Sequence, residues 1–487
     1  MTRTATDVQL LIGDRDTDAA GAATFTRQNP LSGEVATRAA NASVDDAIAA
    51  AEAAAEAFPV WSALGPHERR KKMLKAADLL EARAPDFISV MMDEIGATAP
   101  WAGFNVYLAA QMLREAASMT TQVSGETIPS EIPGSLAFSI RQPVGVVLGI
   151  APWNAPVILG VRAIAVPLAC GNTVVLKASE ICPATHRLIG TVLREAGLDH
   201  GVVNVLTHDA ASASAIVETL IAHRAVRRIN FTGSTRVGKI LALSAAKHLK
   251  PILLELGGKA PLIILDDADL DAAVDAAAFG AFMNQGQICM STERIIVDEK
   301  IADVFAQKFV TKVKTLPCGD PRKGNVVFGA VMGMPTVDRV NALAMDAISR
   351  GAKVLLRGEP QGTIMAPVIV DYVTPEMEIF REESFGPSVS ITRFKTVDEA
   401  IRLANDTEYG LSAAVFGRDI ARAVEVAKHI DSGMCHVNGP TVHDEAQMPF
   451  GGVKGSGYGR FGGKAAVDEF TELRWITIQT TPRHYPF

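Results

Sequence analysis

Cysteine is scarce in this chain of 487 residues, which contains five. They are scattered, form no Cys-x-x-Cys pair, and stand at Cys170, Cys182, Cys289, Cys318 and Cys435. An odd, sparse set in a long chain argues against a disulfide framework and against a zinc site, so we expect no metal. A reducing cytoplasm is the compartment that this cysteine usage predicts.

Surplus positive charge and long apolar runs are also missing. Lysine and arginine total 47 against 54 acidic residues, for a net charge of −7, and no basic face stands out. We therefore expect no nucleic-acid partner. No run reaches the apolar length of a bilayer span, and the N-terminus lacks the apolar region of a signal peptide. Together these absences predict a soluble cytoplasmic protein without a membrane partner.

What the chain does contain is an ordinary globular composition, 48% apolar and 21% charged, which argues against disorder. A chain of this length needs more than one core, so two or three domains are expected. Residues 1–40 have the pattern of short strands and turns. Helices follow, the first starting at Ser43, where Ser43 and Asp46 have the spacing of a capping box. In the helix over 101–119 we assign Tyr107 to core or interhelix packing.

A regular alternation of strands and helices occupies the middle of the first half. The predicted strands are 144–150, 172–176, 202–206, 228–231 and 252–256, and the predicted helices are 156–169, 183–195, 210–222 and 235–247. Strands buried on both faces and joined by helical crossovers predict an α/β fold with a doubly wound parallel sheet. A second alternation, with strands at 262–265, 294–297, 354–356, 389–394 and 413–416, predicts a second α/β domain.

Ligands of such sheets bind beyond the carboxyl ends of the strands. The residues that follow the predicted strands are Trp153, Asn154, Lys177, Glu180, Gly233, Ser234 and Glu255. Each also has a structural interpretation. Asn154 has the position of a helix N-cap. Lys177 and Glu180 could form a solvated ion pair, and Gly233-Ser234 could be a plain turn.

Cys289 lies 34 residues after Glu255, in a polar, glycine-containing segment. A strand, a second strand and a returning helix would bring the two side chains face to face. A thiol nucleophile beside a carboxylate base divides one difficult reaction into two easier ones. By itself the pair is weak evidence, because a lone cysteine is most often a small core residue.

Seven motifs then occur in order along the chain. They are APWNAP (151–156), KASE (177–180), FTGSTRVG (231–238), LELGGKAP (254–261), NQGQICMS (284–291), EESFGP (382–387) and MPFGGVKGSGYGR (448–460). With these motifs the chain resembles the aldehyde dehydrogenase superfamily over essentially its whole length. Its C-terminal segment is most similar to the aromatic-aldehyde branch, the salicylaldehyde, vanillin and benzaldehyde dehydrogenases.

The resemblance implies a Rossmann-type NAD-binding domain, an α/β catalytic domain and a small β oligomerisation arm. We place the NAD-binding domain at 1–124 and 143–256 and the catalytic domain at 257–440. Residues 125–142 and 470–487 form the arm and tail, and 441–469 return to the NAD-binding domain. The arm and tail are strand-like and apolar enough to pair between subunits, and the resemblance implies a homodimer or homotetramer.

The resemblance also assigns the chemistry, the oxidation of an aldehyde to a carboxylic acid. Cys289 attacks the aldehyde, Asn154 and the Cys289 backbone N–H bind the resulting alkoxide, and Glu255 activates the water that hydrolyses the thioester. A CoA-acylating relative typically lacks the carboxylate base, so Glu255 argues against that class. Two further hypotheses stay open, namely an aliphatic or semialdehyde dehydrogenase of the same superfamily and a catalytically silent relative.

For the cofactor, the resemblance places Lys177 and Glu180 on the adenosine ribose and Gly233 and Ser234 on the pyrophosphate. NAD is favoured over NADP because the Glu180 carboxylate repels a 2′-phosphate, which Lys177 partly offsets.

At the other end of the dinucleotide, Glu383 would hold the nicotinamide ribose and Phe385 would pack on the ring. Ser384 replaces a branched apolar residue that is common there, and we expect it to loosen the loop.

For the substrate, a small aromatic aldehyde, Trp153 and Phe450 are expected to wall the tunnel and Trp101 to stack on the ring. Trp153 is also assigned to the cofactor site. Ala155 and Arg162 lie seven residues apart and share a helix face. The small Ala155 leaves room for a ring. Arg162 either meets a polar ring substituent or forms a structural ion pair.

Overall fold

The computed structural model describes residues 5–198 and 200–487. Its strands are β1 (Thr6–Val8), β2 (Leu10–Ile12), β3 (Arg15–Thr17), β4 (Thr24–Gln28), β5 (Val35–Ala40), β6 (Thr127–Ile128), β7 (Ser135–Pro143), β8 (Val146–Ile150), β9 (Thr173–Lys177), β10 (Val203–Leu206), β11 (Val226–Thr232), β12 (Ile252–Glu255), β13 (Ala260–Ile264), β14 (Thr292–Asp298), β15 (Lys353–Leu356), β16 (Val368–Asp371), β17 (Ser388–Phe394), β18 (Ser412–Phe416), β19 (Met434–Val437), β20 (Gly457–Tyr458) and β21 (Thr471–Gln479).

The described residues also form fifteen α-helices. They are α1 (Val44–Ala63), α2 (Pro66–Ala82), α3 (Ala84–Ile95), α4 (Ala99–Met119), α5 (Pro156–Ala169), α6 (Pro183–Glu195), α7 (Ala213–Ala222), α8 (Thr235–Lys247), α9 (Leu270–Phe282), α10 (Ala302–Lys314), α11 (Met334–Ser349), α12 (Glu378–Arg381), α13 (Val397–Asn405), α14 (Ile420–Lys428) and α15 (Gly463–Glu469). Short 3₁₀ helices lie at Ala20–Ala22, Met283–Gly286 and Lys454–Ser456. Among the described residues, no helix combines the length and apolar character needed to cross a bilayer.

The N-terminal helices begin where the sequence predicts. At the start of α1 the Ser43 side chain accepts a hydrogen bond from the Asp46 backbone N–H, and the Asp46 carboxylate accepts one from the Ser43 N–H at 2.8 Å. This is the predicted capping box. Tyr107 in α4 is 58% exposed, so the core part of its assignment to core or interhelix packing is wrong. Its helix buries the opposite face, which carries Trp101 and Leu108.

The first large sheet contains the predicted alternation. Its strand order is β20-β12-β11-β8-β9-β10-β2-β3, and β8 to β12 run parallel to one another. The direction of winding reverses between β8 and β11, which is where doubly wound sheets bind their ligands. The predicted doubly wound α/β fold is confirmed.

The second large sheet has the order β15-β16-β17-β14-β13-β18-β19. All neighbours are parallel except β15 and β16. The five predicted strands of this half are present, but β16 and β19 were not predicted. Both are four-residue strands, although Pro367 directly precedes β16 and the turn residues Asp431-Ser432-Gly433 and Asn438-Gly439-Pro440 flank β19. These turn signals could have marked the two strands.

A three-stranded sheet joins the predicted arm and tail. Its order is β21-β7-β6, and β7 pairs antiparallel with β21 from Ser135↔Gln479 to Thr471↔Pro143. Here β7 is paired within the chain on both sides, by β21 and β6. Pairing between subunits therefore stays a prediction for the two outer edges of this sheet, on β21 and on β6.

Candidate active site

The segment before Cys289 has an unusual backbone. Asn284, Gln285 and Gly286 have φ of 50°, 57° and 69°, a left-handed conformation that non-glycine residues rarely adopt. Buried side-chain amides hold it in place. The Gln285 amide accepts from the Gly329 N–H at 3.1 Å and donates to the Ala330 carbonyl at 2.9 Å. A strained backbone of this kind persists only where many surrounding contacts hold it. The conformation of this segment sets the position of Cys289.

Asn154 is tied to the same segment. Its side-chain Nδ2 donates to the Gln287 carbonyl at 3.0 Å, and its own carbonyl accepts from Asn284 Nδ2 at 3.0 Å and from Trp101 Nε1 at 3.1 Å. Helix α5 starts at Pro156 with Ala155 in the cap position, so the N-cap interpretation of Asn154 is wrong. The amide instead spans the gap between the end of β8 and the Cys289 segment.

Glu255 ends β12 and is buried. Among the described residues, neither of its carboxylate oxygens has a hydrogen-bond partner of normal geometry. Burial raises the pKa of Glu255 to about 7, against the opposing effect of the Arg162 charge. Burial and the neighbouring Glu255 carboxylate also raise the pKa of the Cys289 thiol well above its usual value. The two groups thus compete for a proton at one place.

The glycine pair after Glu255 permits this close packing. A Cβ on Gly258 would lie 2.3 Å from the Cys289 carbonyl oxygen, and a Cβ on Gly257 would lie 2.8 Å from the Glu383 carboxylate. The Gly258 N–H donates to Glu383 Oε1 at 3.0 Å. Side chains at either position would push the nucleophile segment and Glu383 away from β12.

Two cavities meet at Cys289. One of about 360 Å³ is lined mainly by apolar side chains, and one of about 630 Å³ runs along the carboxyl ends of β8, β11 and β12. Cys289, Asn154 and Leu159 line both. The thiol therefore faces an apolar chamber on one side and a larger polar cleft on the other.

Four predicted substrate residues, Trp101, Ala155, Arg162 and Phe450, line the apolar chamber. Trp153 does not; it lines the polar cleft, with its ring edge-on to Phe385 at 5.8 Å between centroids. Of its two predicted places, the wall of the tunnel is therefore wrong, and the cofactor site stays a prediction. Sequence reasoning missed other lining residues of the chamber, namely Ile158, Phe279, Met283, Ile288, Met290, Val442 and Asp444.

Arg162 forms an ion pair with Asp444, and its guanidinium lies 4.2 Å from the centre of the Phe450 ring. Both charged side chains are more than nine-tenths buried. The structural ion pair that the sequence left open is thus present, but it forms part of the chamber wall. Nothing in the sequence pattern pairs Arg162 with a residue 282 positions later.

The polar cleft gathers most of the predicted cofactor residues, including Gly233, Ser234, Glu383 and Phe385. A Cβ on Gly233 would lie 2.4 Å from the Phe231 ring, so only glycine fits there. Ser234 caps α8 through the Val237 N–H at 3.4 Å. Lining residues that the sequence did not indicate are Thr232, Arg236, Met332, Thr336, Arg339 and Tyr409.

Lys177 and Glu180 lie at the end of β9, outside the lining of the 630 Å³ cavity. Lys177 Nζ is 3.7 Å from Glu180 Oε2, with side-chain exposures of 10% and 34%. Burial lowers the pKa of Lys177. The pair exists, but its lysine is not solvated as the ion-pair interpretation required.

Ser384 has a different effect from the one expected. Its hydroxyl and backbone N–H both donate to the Glu293 carboxylate, at 2.8 Å and 3.0 Å, and the side chain is fully buried. The expectation that it loosens the loop is wrong, because the serine anchors the loop to β14.

Comparison with known proteins agrees with this geometry. The chain belongs to the aldehyde dehydrogenase family, whose sequence profile matches residues 17–476. It is 60% identical over 480 residues to the vanillin dehydrogenase of Pseudomonas fluorescens, covering 99% of both chains. It is 54% identical to the salicylaldehyde dehydrogenase of Pseudomonas putida, covering 98% of this chain and 99% of the relative.

Among solved structures, the salicylaldehyde dehydrogenase of Pseudomonas putida G7, in complex with salicylaldehyde, superposes with a TM-score of 0.97. It is 53% identical, and the match covers 99% of this chain and 100% of that one. The predicted membership of the superfamily is confirmed. Proteins of this family are oxidoreductases that use NAD(P).

Proposed function

We propose that this chain oxidises aromatic aldehydes to carboxylic acids with NAD. The observation that carries the proposal is the position of Cys289 between an apolar chamber and a polar cleft, with Glu255 beside it. The chamber volume of about 360 Å³ suits a small ligand, and its lining includes the Trp101 and Phe450 rings. The two relatives named for vanillin and salicylaldehyde support the aromatic substrate class.

The polar cleft fits a dinucleotide. Gly233 and Gly257 line it, at positions where a Cβ would lie less than 3 Å from neighbouring protein atoms. Helix α8 offers free backbone N–H groups at its start, where anions bind. In this proposal Ser234 lies at the pyrophosphate, Glu383 at the nicotinamide ribose, and Phe385 and Trp153 beside the ring. When bound there, the cofactor supplies the acceptor for the hydride.

The chain's own residues account for the remaining chemistry. Cys289 loses its proton to Glu255 or to solvent, and the thiolate attacks the carbonyl carbon. The Asn154 amide and the Cys289 N–H donate hydrogen bonds to the alkoxide that forms. After oxidation the acyl group is a thioester on Cys289. Glu255 removes a proton from the attacking water, the thioester C–S bond breaks, and the carboxylic acid leaves.

NAD rather than NADP is the proposed cofactor. Glu180 is the partly exposed member of the pair with Lys177, so its carboxylate is available to ribose hydroxyls and repels a 2′-phosphate. Comparing KM for NAD and NADP in wild type and Glu180→Gln tests this. We expect the preference for NAD to shrink in the variant; an unchanged ratio contradicts the role.

We further propose a homodimer or homotetramer, with the NAD-binding domain at 1–124 and 143–256 and the catalytic domain at 257–440. Exposed apolar side chains on β21, Leu473, Trp475 and Ile478, support assembly through the outer edge of that strand. The five cysteines are all free thiols, which supports the proposed cytoplasmic location.

The proposed function is tested by NADH absorbance at 340 nm with benzaldehyde, salicylaldehyde, vanillin and an aliphatic aldehyde, with and without CoA. We expect CoA-independent oxidation of the aromatic aldehydes and none with Cys289→Ser. Strict dependence on CoA would indicate the acylating class, and a preference for the aliphatic substrate would indicate a semialdehyde-type enzyme. No aldehyde-dependent signal at all would indicate a catalytically silent relative.

A further inference from the structure

The loop from Glu383 to Phe385 is held by a buried carboxylate that the catalytic mechanism does not use. Glu293, on β14, accepts hydrogen bonds from the Ser384 hydroxyl at 2.8 Å, the Ser384 N–H at 3.0 Å and the Phe385 N–H at 3.2 Å. Lys259 Nζ binds the same carboxylate at 2.6 Å. Glu293, Lys259 and Ser384 are each at most 4% exposed.

This anchor acts at a strained point of the backbone. Phe385 has φ of 43°, a conformation that costs free energy for an aromatic residue and persists only where neighbours enforce it. The enforcing contacts are the two N–H groups on Glu293 and the hydrogen bond from Arg339 Nε to the Ser384 carbonyl at 2.9 Å. They aim the Phe385 ring at Trp153 across the cleft.

The residue on the other side of Ser384 is equally constrained. The Glu383 carboxylate accepts from the Gly258 N–H at 3.0 Å, and Gly258 directly precedes Lys259, which binds Glu293. The loop and the β12–β13 connection are therefore joined at two places, through Glu383 and through Glu293. Both Glu383 and Phe385 line the cleft that we assign to the dinucleotide.

We propose that Ser384 and Glu293 are positioning residues that hold the Glu383–Phe385 loop in register for the nicotinamide end of the dinucleotide. The proposal rests on the proposed function of the cleft. The hydroxyl is the part of the anchor that a branched apolar residue cannot supply. Its loss removes a hydrogen bond to a charged group, and the loop then leaves its strained conformation more often.

The test compares Ser384→Ala with Ser390→Ala. Ser390, on β17, is also fully buried, and its hydroxyl donates to the backbone carbonyl of the same Glu293 at 3.1 Å. It lies outside the lining of the cleft. The dissociation constant of NADH is measured by fluorescence titration, together with Tm and the KM values for NAD and for the aldehyde.

We expect Ser384→Ala to weaken NADH binding about tenfold, the effect of one hydrogen bond to a charged acceptor, with little change in the aldehyde KM. Ser390→Ala should lower Tm and leave the NADH dissociation constant unchanged. Ser384→Thr, which keeps the hydroxyl, should recover most of the affinity. Ser384→Cys, with a similar volume and a weaker donor, gives an intermediate value and replaces the alanine variant if that variant does not fold.

Equal NADH affinity in wild type and Ser384→Ala would overturn the proposal, as would equal weakening by Ser384→Ala and Ser390→Ala. The proposed function fails separately, through absence of aldehyde oxidation by the wild type. NADH binding is measured without turnover. The ratio of the NADH dissociation constants of Ser384→Ala and Ser390→Ala therefore tests the positioning role whether or not the wild type oxidises aldehydes.

Discussion

Glu255 is a carboxyl group whose environment sets its chemistry. Its position at the end of β12 leaves both oxygens buried, with no hydrogen-bond partner of normal geometry among the described residues, and burial raises its pKa to about 7. A base with a pKa near the working pH is both deprotonated often enough and basic enough to take a proton from water. An exposed glutamate, with a pKa near the ordinary value of 4.5, would be a much weaker base.

This pKa predicts how turnover depends on pH. The carboxylate form of Glu255 dominates above pH 7 and is lost below it, so we expect kcat to fall as the pH is lowered from about 7.5 to about 6. Glu255→Gln should still release a burst of NADH of up to one equivalent and then turn over about 10²–10⁴-fold more slowly. Stopped-flow absorbance separates the two phases. Steady-state turnover of the variant within tenfold of wild type would contradict the base role.

Arg162 and Asp444 place a buried ion pair in the wall of an otherwise apolar chamber. Ion pairs of this kind rarely stabilise a protein more than apolar side chains would, which favours a functional reason for the pair. We expect Arg162→Ala to reduce kcat/KM for salicylaldehyde and vanillin about tenfold more than for benzaldehyde, through loss of a polar contact to the ring substituent. An equal loss of kcat/KM on all three substrates would show that the ion pair has a structural role only.

The stability control for this prediction is the double variant R162M/D444N. Removing Arg162 alone leaves Asp444 buried without its partner, a loss of about 3–5 kcal/mol in the free energy of unfolding. The double variant removes both charges. Its Tm should lie above that of Arg162→Ala, while its selectivity among the aldehydes should match that of Arg162→Ala.

At the scale of elements, the connection between β12 and β13 determines how closely the nucleophile segment approaches the first sheet. Gly258→Ala places a Cβ 2.3 Å from the Cys289 carbonyl oxygen. A displacement of the nucleophile by about 1 Å costs on the order of 100-fold in rate, so we expect kcat/KM to fall by that factor. Gly65→Ala is the control, because nothing lies within 4 Å of the added Cβ, and it should retain full activity.

His186 joins two helices and the loop between β9 and α6. The Ser179 N–H donates to its Nδ1 at 3.0 Å, so the proton is on Nε2, which donates to the Pro156 carbonyl at 3.1 Å. Burial and the Lys177 charge lower its pKa to about 3. Protonation of Nδ1 would break the bond from Ser179, so the folded protein keeps this imidazole neutral.

This group contributes to loss of stability in acid. The unfolded chain binds a proton at His186 below pH 6.5 and the folded chain does not until about pH 3. The free energy of unfolding therefore falls as pH decreases through that window, by about 1.4 kcal/mol per pH unit from this residue. Denaturant titrations between pH 6 and 4 give the free energy of unfolding at each pH, and its slope against pH should be smaller by about this amount in His186→Gln. Identical slopes would contradict the assignment.

At the scale of the whole molecule, the pairing of β7 with β21 brings the arm to the C-terminal tail. The free edge of β21 carries Leu473 and Trp475, which are 62% and 72% exposed. Apolar side chains along an unpaired strand edge favour association with another chain.

We therefore expect light scattering to give a mass that is a multiple of the 51.6 kDa chain. The double variant L473E/W475E should move that mass toward a single chain, because like charges along the edge oppose association. A wild-type protein that already scatters as a monomer would contradict the oligomer.

Much of the fold was predictable because its signals are local. Helices α5, α6 and α8 begin and end at the predicted residues, since prolines or a capping serine mark their starts. The assignment of Tyr107 to the core failed because the sequence pattern shows which residues share a face of the helix. It does not show which face the rest of the protein covers.

For the site, residue types and strand order predict the available chemistry: one thiol in a polar segment, a carboxylate at a strand end, and glycines where backbones must approach. These are properties of single residues and of their order along the chain. Packing was needed to show that Trp153 lies in the cleft and not in the chamber wall, that Arg162 meets Asp444, and that Ser384 binds Glu293. Each of these contacts joins residues from separate elements, 91 positions apart for Ser384 and Glu293, and only packing brings such residues within hydrogen-bond distance and sets the burial that shifts a pKa.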